Sequence, residues 1–167
     1  MKVKAYVLIV STALLGMSAG SRKATPTVGA NPGDIAPGIE LTGNGGNDGF
    51  RNQPGCYTLL NFWAAYDAES RARNVRLAHE IDKMETSSIT LRSISLDENE
   101  SIFTETVRMD GLDRSSQFHD RRGKSSDLYK KYDLKKGLRN FLIDDKGMIV
   151  ATNITPEQLT GKLHAAR

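Results

Sequence analysis

Residues 57–64 (Tyr-Thr-Leu-Leu-Asn-Phe-Trp-Ala) form a short, mostly apolar run that follows Pro54-Gly55. That pattern predicts a central strand buried on both faces. From Asp67 the period changes. Val75, Leu77, Ala78, Ile81 and Met84 fall at helical spacing, with Arg71, Arg73, Arg76, Glu80 and Lys83 between them. A helix from Asp67 to about Met84 with one core face is expected. Residues 89–96 alternate around apolar positions and read as the next strand. Residues 100–109 read as a helix with Ile102, Phe103 and Val107 inward and Gly111 as its stop.

Residues 116–119 predict a short extended piece, and residues 126–132 a short helix packed through Leu128 and Tyr129. Residues 140–144 read as a strand. Asp145-Lys146-Gly147 then turns the chain, and residues 148–151 return antiparallel. Thr155-Pro156-Glu157-Gln158 combines a hydroxyl cap, a proline at the first helical position and a glutamine that completes a capping box. The last helix continues through Leu159 and Leu163. This order predicts an α/β domain, a central mixed β-sheet with helices on both faces.

The N-terminus has another character. Met1-Lys-Val-Lys4 is basic, residues 5–17 are almost wholly apolar, and Ser18-Ala19-Gly20 supplies small residues. Residues 1–20 therefore read as a secretory signal peptide, too short for a comfortable membrane span. The alternative is an uncleaved anchor in the inner membrane, and membrane contact is expected only in that case. No cysteine follows the apolar run to accept lipid. Residues 21–34, rich in Pro and Gly, read as a flexible lead-in, and residues 35–167 as the domain. Gly43–Gly49 reads as a loop.

The whole chain has 23 Lys and Arg against 20 Asp and Glu. Cleavage after residue 20 removes Lys2 and Lys4 and leaves a mature domain near neutrality. That balance argues against nucleic acid as a partner. The single cysteine, Cys56, excludes an intramolecular disulfide. His79, His119 and His164 lack metal-ligand spacing, so no metal is expected, and no cofactor motif is present.

Phe62-Trp-Ala-Ala-Tyr-Asp-Ala-Glu-Ser-Arg71 resembles the Phe-Trp-Ala-x-Trp-Cys-x-x-Cys signature of thioredoxin-like thiol–disulfide oxidoreductases. Further pieces resemble the exported TlpA/ResA-type branch in the right order. They are Val28-Gly29 with residues 35–41, then 59–64, 94–97, Tyr132-Asp-Leu134 leading into 141–144, and the hairpin 145–150. The resemblance implies a thioredoxin-like fold over residues 28–167. In register, Asp67 and Ser70 stand where that family has its two cysteines, and Leu138 stands at its cis-proline.

These departures sit at the chemistry. Disulfide exchange needs one thiolate to attack and a second thiol to resolve the mixed disulfide. Asp67 and Ser70 have no sulfur, and Asp67 is expected instead to cap the helix through its carboxylate. A cis bond before a non-proline residue costs about 2.5–4 kcal/mol, so the loop at Leu138 is expected to be trans and reshaped. Cys56 precedes the strand whose far end carries Asp67, a separation of about 25 Å. The resulting expectation is a non-catalytic, periplasmic binding module for a protein or peptide of the cell envelope. Its groove would be formed by Trp63, Tyr66, Asp67, Ser70, Arg71, Leu138 and Arg139. Arg71 and Arg139 at the helix N-terminus are a candidate anion or acidic-peptide site, and Lys130, Lys131, Lys135 and Lys136 extend it. The alternative is a thiol–disulfide oxidoreductase or peroxidase-like protein working through Cys56 or a partner's cysteine.

Overall fold

A computed structural model describes residues 25–39, 54–84 and 88–165. The apolar run becomes β1 (Tyr57–Trp63), followed by α1 (Ala68–Lys83), β2 (Ile89–Ser95), α2 (Glu100–Met109), β3 (Gln117–His119), α3 (Asp127–Lys131), β4 (Asn140–Ile143), β5 (Ile149–Thr152) and α4 (Pro156–Ala165). They build one five-stranded sheet in the order β3-β2-β1-β4-β5. β1 is parallel to β2, and β2 to β3, whereas β4 is antiparallel to both β1 and β5. The mixed sheet of the expected α/β fold is present.

Every residue of β1 is buried, as a strand covered on both faces requires. Its alternation divides the core. Tyr57, Leu59 and Trp63 pack with Leu77 and Ala78 of α1, Phe103 and Val107 of α2, and Leu159 of α4. Leu60 and Phe62 point to the opposite face, among Leu128 and Tyr132 beside α3, Phe141 and Ile143 of β4, and Ala36 and Ile39. The Tyr132 ring lies 5.1 Å from that of Phe62 and 4.9 Å from that of Phe141, and its hydroxyl donates to the Pro37 carbonyl at 2.6 Å.

The hairpin turns at Gly147, whose φ of 82° suits a residue without Cβ. Its N–H donates to Asp144 O at 3.1 Å. At α4 the Thr155 N–H donates to Gln158 Oε1 at 3.2 Å, the side-chain-to-backbone return of a capping box. Gly111, with φ 64°, ends α2 as expected.

Three expectations need correction. Ile102 is 48% exposed, because α2 turns Phe103, Thr106 and Val107 inward and Ile102 lies one residue off that stripe. Asp67 is the residue before α1, but its side chain makes no capping hydrogen bond. The lead-in is not a free tether throughout. Gly33 N–H donates to Ile149 O, Ile149 N–H to Asp34 O, and Ala36 N–H to Gly147 O, which fastens this segment along β5. Asp34 closes it by accepting from Thr27 Oγ1 and Asn31 N.

The signal segment 1–20 and the loop at Gly43–Gly49 lie outside the described residues, as does the side chain of Leu163. Among the described residues no helix is long and apolar enough to cross a membrane.

Candidate functional site

The site expected from sequence lies where β1 and β2 end and α1 begins. Residues 64–67 make a closed turn, with Asp67 N–H donating to Ala64 O at 3.1 Å. Beneath it Ser70 is 1% exposed. Its hydroxyl accepts from Ala64 N at 3.3 Å and donates to Asp67 O at 3.1 Å. The side chain at the second cysteine position is thus committed to the turn itself. Asp67 is half-buried at the mouth of the turn and complements the positive end of α1 without capping it.

Asp97, 3% exposed, holds the same turn from the β2 side. Both of its carboxylate oxygens accept from Ala65 N at 3.0 Å, and Ser95 Oγ donates to one of them at 2.7 Å. The Asp97 carbonyl in turn lies 2.7 Å from His119 Nε2. The His119 ring stacks on Phe103, centroids 4.8 Å apart.

Of the two aromatics assigned to the groove, only Tyr66 faces solvent. It is 61% exposed, whereas Trp63 is fully buried against Phe103 and supports the turn from below. Lys124 places its ammonium 5.8 Å above the Tyr66 ring. Partial burial, followed by the charge of Asp97, pushes the Tyr66 hydroxyl above its ordinary value, and Tyr129, Asp67 and Glu98 act in the same direction.

The loop before β4 is trans, since the described residues contain no cis peptide bond. Leu138 is half-buried against the α3-side core. Its carbonyl accepts from Arg73 Nη2, and the same nitrogen reaches Phe62 O at 3.4 Å. Arg139 O accepts from Phe62 N at 3.1 Å, which extends the β1–β4 pairing by one residue. The Arg139 guanidinium covers the Phe141 ring at 5.2 Å and donates to Tyr132 O at 3.1 Å.

This geometry rearranges the expected anion site. Arg71 does not face Arg139. It is bound bidentately to Asp110 at 2.6 and 2.8 Å, which spends its charge and holds its pKa above the usual guanidinium value. Arg73, expected on the solvent face of α1, is the arginine that crosses to the loop. Burial lowers its pKa, and the charges of Glu69 and Asp67 partly offset that effect.

A second feature was not anticipated. Asn61, Asn74, Ser93 and Gln117 are all fully buried between α1 and the sheet. Asn61 Nδ2 donates to Asn74 Oδ1 at 3.1 Å and to Ser93 Oγ at 2.8 Å. Asn74 Nδ2 donates to Gln117 Oε1 at 3.0 Å, and Ser93 Oγ donates to Asn74 Oδ1. The chain of bonds links β1, β2, β3 and α1. One sequence signal points to it: Asn74 lies three and four residues before Leu77 and Ala78, on the core stripe of α1.

Cys56 is half-buried just before β1, next to Gly55, whose N–H donates to Asp145 Oδ2 in the β4–β5 turn at 2.9 Å. Cys56 and Asp67 therefore lie beyond opposite ends of β1. A cleft of about 260 Å³ between the end of α1, the start of β2 and Leu112 also lies away from the 64–67 turn.

No family model matches the chain, and no curated protein does. Solved structures do. A thioredoxin-like protein from Parabacteroides distasonis is 62% identical, with 81% of this chain and 96% of that one covered and a TM-score of 0.75. A thiol–disulfide oxidoreductase from Bacteroides fragilis is 31% identical, with coverages of 68% and 83% and a TM-score of 0.55. A C-terminal domain named as part of a thiol–disulfide oxidoreductase from Bacteroides thetaiotaomicron is 28% identical, with coverages of 81% and 95% and a TM-score of 0.67. With Asp67, Ser70 and Leu138 at the positions that carry the family's chemistry, the chain belongs to the thioredoxin-like thiol–disulfide oxidoreductase family as a member without the paired cysteines or the cis-proline.

Proposed function

We propose that this protein has lost thiol–disulfide exchange and acts as an exported binding module. A protein or peptide of the cell envelope docks on the surface between the 64–67 turn, α3 and the loop before β4. The observation that carries the reading is the state of Ser70. It is buried, its hydroxyl is used as both donor and acceptor within the turn, and no thiol lies at this end of β1. Neither an attacking nor a resolving sulfur is available there. The exposed Tyr66 supplies the apolar contact expected at the centre of a small interface. Export rests on the basic, apolar, small-residue order of residues 1–20.

The names of the relatives favour a second reading, a redox protein that uses Cys56 alone or with a partner's cysteine. Insulin reduction assayed with the mature protein and its Cys56→Ser variant separates the two. The binding-module reading expects no turnover above buffer from either. Turnover by the parent that disappears in Cys56→Ser would refute it and establish a single-cysteine enzyme.

A further inference from the structure

Charge is unevenly distributed around the docking surface. Residues 120–139 hold eight Lys and Arg against three Asp, whereas the rest of the chain holds 15 against 17. The three carboxylates are satisfied within the segment. Asp120 and Asp127 pair with Arg122 at 3.0 and 3.5 Å, and Asp133 pairs with Lys136 at 2.6 Å and Lys135 at 3.8 Å. Among the described residues, Arg121, Lys124, Lys130 and Lys131 are exposed and enter no ion pair.

The segment is held in place. Ser126 Oγ accepts from Leu128 N at the start of α3 and donates to the Asp120 carboxylate, and Leu128 and Tyr132 anchor it in the core. Lys124 lies over Tyr66, and Tyr129 is close enough to act on the Tyr66 hydroxyl. Arg139, in the loop before β4, donates to the Tyr132 carbonyl just past α3. One unpaired cation, Lys124, thus lies over the exposed aromatic of the 64–67 turn, and Lys130 and Lys131 follow Tyr129 in α3.

We infer that the partner presents an acidic segment to this face, with an apolar side chain seated on Tyr66 and its carboxylates along Lys124, Lys130, Lys131 and Arg121. The inference rests on the binding-module reading and adds the chemistry of the occupant. Complementary charge of this kind steers encounter and fixes orientation more than it adds affinity. Asp67 and Glu98 also act on the Tyr66 hydroxyl, and the Glu98 side chain lies against Gly123 beside Lys124, so Lys130 and Lys131 of α3 are the cations left to meet the acidic stretch. An anionic membrane is the less suitable occupant. α3 has five residues, and Leu128 is its buried apolar anchor, so it offers no amphipathic face to insert.

The test is fluorescence anisotropy with a labelled peptide alternating Glu and Leu, a matching Lys and Leu peptide, and phosphatidylglycerol vesicles by co-sedimentation. Parent protein is compared with Tyr66→Ala, with Lys130→Glu/Lys131→Glu, and with Lys83→Glu/Lys146→Glu, which makes the same charge change elsewhere. The Glu/Leu peptide is expected to bind more weakly as salt rises. Lys130→Glu/Lys131→Glu should weaken it about tenfold at low ionic strength, and the remote pair less than about twofold. Equal losses in the two double variants would overturn the inference, because net charge alone would then suffice. Tyr66-dependent binding of only the Lys/Leu peptide would overturn the acidic chemistry while leaving the docking surface intact. Binding of vesicles with neither peptide would overturn both.

Discussion

Arg73→Met removes the guanidinium that bridges α1 to the loop before β4 and keeps most of the apolar stem. In the parent, Arg73 Nη2 donates to Leu138 O and, more weakly, to Phe62 O. A hydrogen bond from a charged donor contributes about 1.5–3 kcal/mol net, and an orphaned carbonyl in a part-buried site costs about as much. Opposing this, the guanidinium is itself desolvated, as its lowered pKa reflects, and its Nε is buried without a partner. Removing it relieves that penalty. The balance is a loss of about 2 kcal/mol, or about 8 °C in Tm for a domain of this size.

The loss is local in origin and calls for a local readout. Lys135, Lys136 and Arg139 are trypsin sites beside the pinned residue, and 2 kcal/mol of added loop opening corresponds to about 30-fold faster cleavage there. Arg76→Met, on the exposed side of the same helix, is the control. If Arg73→Met changed cleavage by less than about twofold and stability by less than about 0.5 kcal/mol, the guanidinium would not be what holds the loop.

Two further outcomes follow from buried polar groups. Asn74→Ala leaves Gln117 Oε1 and the Ser93 hydroxyl proton without their partner and is expected to cost about 3 kcal/mol, read as a lowered urea midpoint with an unchanged slope. A loss under about 1 kcal/mol would mean that the network re-forms without Asn74. Burial opposes ionisation of Asp120, yet hydrogen bonds from Arg122 and Ser126 outweigh it and hold its pKa below 3.8. A depressed carboxylate stabilises the fold above the unfolded-state pKa, and that contribution is lost as pH falls through the lower folded value. Urea midpoints measured from about pH 6 down to about pH 3 should therefore fall more steeply for the parent than for Asp120→Asn, and parallel curves would refute the assignment.

Much of the fold was legible because its signals were periodic and strong. β1 announced itself by an apolar run too short for a helix, the β4–β5 hairpin by Asp-Lys-Gly between two apolar runs, and α4 by its capping box. The docking of residues 27–36 along β5 was not legible. It is made almost entirely by backbone groups, and N–H and C=O carry no residue identity. Ile102 was misplaced for a related reason: with Ile102 and Phe103 adjacent, a helical period alone cannot choose which of the two faces the core.

At the candidate site, sequence spacing did not reveal the side chains that organise the 64–67 turn and the loop facing it. Spacing separates the core stripe of α1 from its polar positions, and by that rule Arg71 and Arg73 both face water. A long side chain escapes the rule because its charged end lies several bonds from the backbone position that sets the pattern. Arg71 therefore finds Asp110, thirty-nine residues away, and Arg73 finds a carbonyl sixty-five residues away. The same logic separates Asp67 from Ser70. Asp67 had the better helix-capping chemistry, but the shorter Ser70 lies beneath the turn, where its hydroxyl reaches both Ala64 N and Asp67 O. Where the signature that residues 62–71 resemble has its second cysteine, this chain has a serine that stitches the turn, and an arginine three residues on pins the facing loop. The 64–67 turn and the loop before β4 are thus tied to each other through α1.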